Sequence, residues 1–364
     1  MKVILFANGE CEGLGAIGSR VPSSLLTLVD RPFIVHVVEQ LVERGATSFE
    51  VIISRSADKF EQVLGTGSKW NAEMNFHFVP DAEHPYGIVN QIVKDFPEEV
   101  VVLAHGDRLP HLESQAIVNE TSETAPSYYL SAASDLSVDS SIEWSGWAVI
   151  TKEMTSVLTA NMDEKTAGEA LIRAAGNLSI NCAMPTVLSA RTFEQLLAAQ
   201  AAVMTGEFKG IQVSGREVSS GVWVGEHVTI HPTATLAGPV FIGAGCCIAQ
   251  NAHIGPNAVI GDNCVVDDSS AVSNSLVMNG TYIGEGLDLG YCVMDRDLLV
   301  HAGMTSSLTL ETAFLIGGID EASETAAMGE FTAQAAGKAM FLLSLPSAAL
   351  NNLWTKMLKP NAAS

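Results

Sequence analysis

The chain has 364 residues, of which 47% are hydrophobic and only 16% are charged, so it is long enough for two domains with apolar cores. Its 41 acidic and 19 basic residues give a formal net charge of −22, which excludes nucleic acid and anionic membranes as general partners. The apolar run at residues 3–7 is too short for a secretion signal, so we expect a cytoplasmic protein.

The first half of the chain alternates between predicted strands and predicted helices. Strands are expected at residues 1–9, 49–54 and 100–104, a turn followed by a strand at 65–79, and helices at residues 32–44, 57–64 and 87–96. Alternation with short connections favours a mostly parallel sheet with helices on both faces. Ligands bind such sheets beyond the carboxyl ends of the strands, which here means the loops at residues 8–24 and 105–111.

From residue 222 onward the sequence repeats with a period of six. Every sixth residue is a branched aliphatic, and a small or compact residue follows four places later. The aliphatic positions are Val224, Ile230, Leu236, Ile242, Ile248, Ile254, Ile260, Val266 and Val272, and the small positions are Val228, Ala234, Val240, Cys246, Ala252, Ala258, Cys264 and Ser270. Helices repeat their apolar face every three to four residues and flat strands every two, so this period favours short strands coiled into a β-solenoid. The register slips by one residue after Val272 and resumes at Val277, Ile283 and Leu289, which implies about four coils.

The repeat resembles the hexapeptide repeat of left-handed β-helices. Cys246 and Cys264 lie one coil apart in small positions, where we interpret them as small core residues in a reducing compartment, although a bridge between them fits the spacing. Hexapeptide acyltransferases use a histidine as general base. The solenoid histidines at positions 227, 231 and 253 fall at outward or corner positions, which favours a structural role.

Four segments of the first half carry a second resemblance. They are Pro-Ser-Ser-Leu-Leu-Thr-Leu-Val-Asp-Arg-Pro at 22–32, Gly-Thr-Gly-Ser-Lys-Trp at 65–70, Leu-Ala-His-Gly-Asp at 103–107 and Ser-Gly-Trp-Ala-Val-Ile at 145–150. These segments resemble the P-K-P-L-L-P-V-x-x-x-P, G-D-G-S-x-W, L-x-x-G-D and A-G-I-Y motifs of the sugar-1-phosphate nucleotidyltransferases, the pyrophosphorylases that make nucleotide-sugars. Members of that family often carry a C-terminal left-handed β-helix.

The resemblance and the sequence patterns together predict the domain organisation. We expect a Rossmann-like α/β nucleotidyltransferase domain at residues 1–190 and a linker at 191–216 with an amphipathic helix at 192–204. A left-handed parallel β-helix is expected at residues 217–318, followed by a linker and a C-terminal apolar helix at 319–364.

The resemblance also implies a set of site residues. Asp107 would be catalytic and would hold Mg²⁺ against a triphosphate. The other candidates are Gly9, Gly13, Ser23 and Gly87 for nucleotide and phosphate, and His105, Arg108 and Trp147 for the sugar.

The chain departs from the family where phosphate and metal should bind. The phosphate loop G-x-G-T-R is here Gly9-Glu10-Cys11-Glu12-Gly13, so Gly13 stands in the place of the arginine, and Arg20 is the candidate substitute. The two glutamates of this loop are a candidate cation site or a solvated loop. Ser23 replaces the lysine of P-K-P, and the second metal carboxylate of the family falls at residues 188–189, Leu-Ser.

Two functions are consistent with these residues. Nucleotidyl transfer depends on charge neutralisation, so these losses predict a weakly active or inactive sugar-1-phosphate nucleotidyltransferase acting on a nucleoside triphosphate and a sugar-1-phosphate. The alternative is a non-catalytic subunit that binds a nucleotide-sugar and scaffolds or regulates an enzyme of exopolysaccharide synthesis. In either case we expect a homo-oligomer formed through the flat faces of the β-helix.

The C-terminal segment at residues 338–350 is apolar, is interrupted by Pro346 and is flanked by lysines at 338, 356 and 359. It is too short to span a bilayer. One interpretation is a membrane-peripheral helix pair or a docking segment for a membrane-bound sugar transferase. The other is a helix folded onto the protein's own surface or onto a symmetry mate.

Overall fold

The computed structural model describes residues 1–7, 12–97, 100–111, 127–132, 142–175, 187–303, 307–309 and 315–319. The chain divides into two units, the first ending at Val213 and the second beginning at Ser214. Within the described ranges, no helix is both long and apolar enough to cross a bilayer. The predicted apolar segment at residues 338–350 lies outside the described residues.

The first unit is built on a six-stranded sheet. The strands of this unit are β1 (Lys2–Phe6), β2 (Thr27–Leu28), β3 (Arg31–Pro32), β4 (Ser48–Ile53), β5 (Glu73–Phe78), β6 (Val100–His105), β7 (Arg108–Pro110), β8 (Ser127–Ala132), β9 (Ile142–Thr151) and β10 (Val187–Ser189). The spatial order in the sheet is β5-β4-β1-β6-β9-β8, in which β5, β4, β1 and β6 run parallel and β9 and β8 are antiparallel additions. The predicted α/β fold class is confirmed.

Helices of the first unit are α1 (Gly15–Arg20), α2 (Phe33–Glu43), α3 (Ala57–Leu64), α4 (Val89–Ile92), α5 (Glu164–Ala175) and α6 (Phe193–Met204). Along β1, Ile4 and Phe6 join a core with residues of α4 and α5, while Val3 and Leu5 on the opposite face are equally buried. The sheet is therefore covered on both faces, as its continuous apolar strands require.

Two helices show how local signals set the boundaries. The single helix predicted at 87–96 is shorter: α4 is flanked by 3₁₀ turns at Pro85–Ile88 and Val93–Asp95. Phe96 is extended (ψ 129°) because it precedes a proline, which disfavours the helical conformation. The helix predicted at 192–204 is α6, whose Thr192 hydroxyl accepts a hydrogen bond from the Gln195 amide at 3.1 Å and so caps its first turn.

The second unit contains three stacks of short parallel strands, the arrangement of a parallel β-helix. Its strands are β11 (Arg216–Ser219), β12 (Val222–Val224), β13 (Thr229–Ile230), β14 (Thr235–Leu236), β15 (Val240–Ile242), β16 (Cys247–Ile248), β17 (His253–Ile254), β18 (Ala258–Ile260), β19 (Val265–Val266), β20 (Ala271–Ser273), β21 (Leu276–Val277), β22 (Thr281–Ile283), β23 (Asp288–Gly290), β24 (Cys292–Asp295), β25 (Leu298–His301), β26 (Ser307–Thr309) and β27 (Ile316–Gly318). Each parallel strand pairs with the one a coil later, as Val224 does with Ile242 and Ile260 with Val277. The aliphatic positions of the repeat face one shared core, and the predicted one-residue slip is seen in the second of these pairs.

The corners of the solenoid explain the remaining positions of the six-residue repeat. The third residue after an inward aliphatic repeatedly has a positive φ, at His227, Gly245, Asn251, Asn257, Asn263, Ser269, Gly280 and Gly286. Glycine, asparagine and other small polar residues adopt this left-handed conformation at the lowest cost. The repeat therefore encodes both the strands and the turns between them.

Cysteine thiols occupy the small inward positions. Cys246 and Cys264 are fully buried free thiols, and their Sγ atoms lie 2.9 and 3.2 Å from the carbonyl oxygens of Gly261 and Met278. They serve as small core residues in this structure, as the sequence predicts.

Antiparallel strands flank the parallel stacks: β11 pairs with β12, while β25 pairs with β24 and β27 with β22.

Candidate functional site

A cluster of charged and aromatic side chains surrounds the carboxyl end of β6. The amide of Gly106 donates to the carbonyl of Phe6 at 2.8 Å, which holds the β6–β7 connection against β1. β7 then pairs with β10, with Arg108 opposite Ser189 and Leu109 opposite Leu188. His105, Asp107 and Arg108 are thereby fixed at the edge of the sheet where ligands of α/β proteins bind.

Asp107 is buried and held by two partners. Its side chain accepts a hydrogen bond from the Ser23 hydroxyl at 2.9 Å and one from Nε of Arg108 at 3.2 Å. Burial acts to raise the pKa of Asp107, but the Arg108 guanidinium outweighs it and holds that pKa below its ordinary value. Asp107 is therefore an ionised carboxylate with a partner at each oxygen.

Arg108 lies between two carboxylates. Its guanidinium bonds Asp107 on one side and donates from Nη1 to Glu164 at 2.5 Å on the other. A Cβ at position 146 would come within 2.9 Å of the guanidinium carbon, so only Gly146 (φ +85°) lets this buried arginine pack against β9. The indole nitrogen of Trp147 donates to the Arg108 carbonyl at 2.9 Å and fixes the backbone as well.

Glu164 opens α5 and faces two arginines. Asp163 caps the helix, since its Oδ1 accepts from the Thr166 amide at 2.8 Å. The Arg191 Nη1 lies 3.7 Å from the same Glu164 oxygen that Arg108 binds. Burial opposes the shift, but Arg108 and its hydrogen bond lower the pKa of Glu164 to about 2. The ion-pair network consists of Asp107, Arg108, Glu164 and Arg191, together with Ser23.

His105 is enclosed by aromatic rings beside this network. Its Nε2 lies 2.9 Å from the Tyr86 hydroxyl, its ring stacks on Phe6 at 5.0 Å, and the Trp144 ring meets it edge-on at 5.6 Å. Burial, assisted by the positive charge of Arg108, lowers the pKa of His105 to about 4. The imidazole is therefore neutral at pH 7 and does not add a positive charge to the site.

Acid should weaken the first unit through Glu164. The pKa of Glu164 in the folded protein, about 2, lies below its ordinary value of 4.5. The ion pair of Glu164 with Arg108 therefore adds to the free energy of unfolding above pH 4.5, and this contribution is lost as the pH falls toward 2. Urea unfolding at pH 6 and pH 3 gives the loss of free energy of unfolding on acidification. We expect Glu164→Gln to make this loss smaller by about 2 kcal/mol. Glu169→Gln, which removes an exposed partner of Arg173, is the matched control and should follow the unmodified protein. Identical pH dependence in the Glu164 and Glu169 variants would contradict the assignment.

The second unit matches a known family model. Residues 236–302 match the model of the GMPPB C-terminal domain. This match and the motifs of the first unit point to the same family. The chain resembles the sugar-1-phosphate nucleotidyltransferases.

Other comparisons are more distant. A solved structure from Bacillus anthracis, described as a glucose-1-phosphate thymidylyltransferase in complex with sucrose, is 16% identical, with a TM-score of 0.49. The match covers 59% of this chain and 97% of that one. No curated protein matches the chain.

Four of the nine residues that the nucleotidyltransferase resemblance singles out lie together in or beside the network. Ser23, His105, Asp107 and Arg108 are brought together, whereas Trp147 is fully buried behind Arg108 and presents no face to a ligand.

Arg20, Gly87 and Gly13 are not members of this group. Arg20 is exposed at the end of α1, where its carbonyl oxygen accepts from Lys59 Nζ at 3.1 Å. A Cβ on Gly87 would lie 2.6 Å from the Ala160 Cα, so close packing explains this glycine. Gly13 packs against residues 191 and 192. Gly9, Glu10 and the Glu12 side chain lie outside the described part of the chain.

The residues present do not fit the Mg²⁺ that the nucleotidyltransferase resemblance implies. Both Asp107 oxygens already accept hydrogen bonds, one from the Ser23 hydroxyl and the other from the positively charged Arg108. At the position of the second metal carboxylate, Leu188 is 3% exposed and lies opposite Leu109 on β7. Among the described residues, no three side chains of the kinds that bind metals come together.

Sequence reasoning missed Glu164, Arg191 and Tyr86. Glu164 and Arg108 are 56 residues apart, and no local pattern links them. A signal was nevertheless present at Gly146, a glycine inside an otherwise bulky strand, which marks a place where another group approaches the backbone closely.

Proposed function

We propose that this protein is a nucleotidyltransferase-like component of nucleotide-sugar and exopolysaccharide metabolism that binds a phosphorylated sugar or nucleotide-sugar without turning it over. One observation supports this proposal above the others: Asp107, which the family uses for metal, is paired with Arg108 and Ser23. A cation bound at Asp107 would have to displace the hydrogen bond from Arg108 and would then lie beside the guanidinium charge in a buried place, where repulsion between like charges is strong.

The remaining departures support the same proposal. Leu188 supplies no oxygen where a second carboxylate would be needed. His105 is neutral, so it does not replace the cations lost at positions 13 and 23. A site without these charges does not stabilise the charge that develops in nucleotidyl transfer, although its polar groups still suit recognition.

The proposal has two further parts. The β-helix is the surface through which we propose that the chain forms a homo-oligomer in the cytoplasm. The segment at residues 338–350, outside the described residues, is proposed to meet a membrane-bound sugar transferase. In this arrangement the chain regulates or scaffolds polysaccharide synthesis.

Pyrophosphate release tests the proposal. We expect purified protein with Mg²⁺, each nucleoside triphosphate and a panel of sugar-1-phosphates to release no more pyrophosphate than its Asp107→Asn variant. Addition of the nucleotide-sugar that the protein binds should raise the Tm, by an amount that corresponds to about 2.7 kcal/mol at a hundredfold excess over Kd.

Either of two results would overturn it. Metal-dependent pyrophosphate release that Asp107→Asn abolishes would show an active nucleotidyltransferase, and Arg20→Ala would then test the substitute cation. A Tm that no phosphorylated sugar or nucleotide-sugar changes would remove the binding role.

A further inference from the structure

Arg191 is the accessible cation of the ion-pair network. Its side chain is 44% exposed, whereas that of Arg108 is 6% exposed. Its Nη1 lies 3.7 Å from Glu164, beyond hydrogen-bond distance, while Arg108 holds the same carboxylate at 2.5 Å. The Arg108 guanidinium is therefore occupied by Asp107 and Glu164, whereas the guanidinium of Arg191 exposes N–H donors to solvent.

Gly13 packs against the backbone of the segment that carries this arginine. A Cβ on Gly13 would lie 2.9 Å from Thr192 Cγ2 and 3.0 Å from the Arg191 carbonyl oxygen. Position 13 therefore has no room for a side chain unless residues 191 and 192 move. The segment that ends β10 and begins α6 supplies an arginine directly beside the turn that starts at Glu12.

The hydrogen-bond pattern leaves the donors of Arg191 available to an anion. Asp107, Arg108 and Glu164 together carry one net negative charge, which Arg191 balances, while the hydrogen bond to Glu164 comes from Arg108 and not from Arg191, whose Nη1 is 3.7 Å away. The Thr192 hydroxyl already caps α6 through the Gln195 amide. The guanidinium of Arg191, and not the helix end, is the group able to meet a ligand.

We propose that Arg191 binds a phosphate group of the ligand at the carboxyl end of the sheet, and that it decides the preference for phosphorylated over unphosphorylated sugars. This inference rests on the proposed binding function. A guanidinium presents paired donors that match two phosphate oxygens, which lysine does not reproduce. The ligand class is an anionic phosphate ester, either a sugar-1-phosphate or the diphosphate of a nucleotide-sugar.

Calorimetric titration tests this assignment. The probes are glucose-1-phosphate, nucleoside diphosphate-glucose with each common base, inorganic pyrophosphate and unphosphorylated glucose. For the phosphate-bearing probes that bind, we expect Arg191→Ala to raise Kd about 10- to 100-fold and Arg191→Lys to raise it less. Arg173→Ala, which removes an exposed arginine of α5, is the control and should leave Kd unchanged.

The outcomes separate this inference from the proposed function. If the unmodified protein binds a phosphate-bearing probe and Arg191→Ala binds it equally well, the assignment of Arg191 is wrong and the binding role stands. A protein that binds none of the probes contradicts both. The relative affinity of glucose-1-phosphate and the nucleotide-sugars identifies which source supplies the phosphate. Circular dichroism of each variant confirms that the fold is retained.

Discussion

Replacing Arg108 with methionine should lower the free energy of unfolding of the first unit by about 3–5 kcal/mol. The substitution keeps an unbranched side chain but leaves Asp107 and Glu164 without the guanidinium that lies between them. Asp107 is 4% exposed, so water does not replace the lost partner. Urea unfolding followed by circular dichroism at pH 7 measures the loss.

Two further variants make this result specific. Arg173→Met removes an arginine that is 75% exposed and pairs with Glu169 one helical turn away, and it should cost at most about 0.5 kcal/mol. Adding Asp107→Asn and Glu164→Gln to Arg108→Met removes the uncompensated charges and should restore part of the stability. A loss below about 1 kcal/mol in Arg108→Met, or no recovery in the triple variant, would show that the network is not the buried electrostatic unit described above.

Gly255→Ala should destabilise the solenoid by about 3 kcal/mol or more. Gly255 has a φ of +101°, where side chains are strained, and an added Cβ would collide with the Ala237 carbonyl oxygen and lie 2.6 Å from Val240 Cγ2. The collision is with the backbone of the preceding coil, so rotation of a side chain does not relieve it. Thermal unfolding followed by circular dichroism measures the change.

Gly290→Ala is the matched control within the same solenoid. The nearest atom to a Cβ at this position, Ser273 Oγ, lies 3.6 Å away at ordinary contact distance. The expected change is within about 0.5 kcal/mol. Equal effects of the two substitutions would mean that the close approach of adjacent coils at Gly255 is not a requirement of the fold.

Much of the fold could be predicted because its signals are local. The six-residue spacing of aliphatic residues identifies the solenoid strands, and the slip after Val272 appears in the pairing of Ile260 with Val277. Alternating strands and helices likewise predict the sheet of the first unit. A helix boundary was less predictable, since α4 depends on the packing of Gly87 against Ala160 as well as on the proline after Phe96.

The candidate site could be predicted only in part. Motifs place Asp107 and Ser23 in one region, but the partners that change the chemistry come from distant segments, Glu164 on α5 and Arg191 before α6. A single sequence contains no signal for which charges meet after folding. The sequence shows glycine at position 13, where the nucleotidyltransferase motif has arginine, whereas the packing of Gly13 against Arg191 is seen only in the folded chain.

The pairing distances along the chain differ greatly between the two units. In the solenoid each parallel strand meets a strand 17 or 18 residues away, and each coil touches only its neighbours. In the first unit the central strand β1 pairs Val3 with Val102, so a long loop must close before the middle of the sheet exists. The second unit is thus a linear array that folds outward from any formed coil, whereas the sheet of the first unit has to form as a whole.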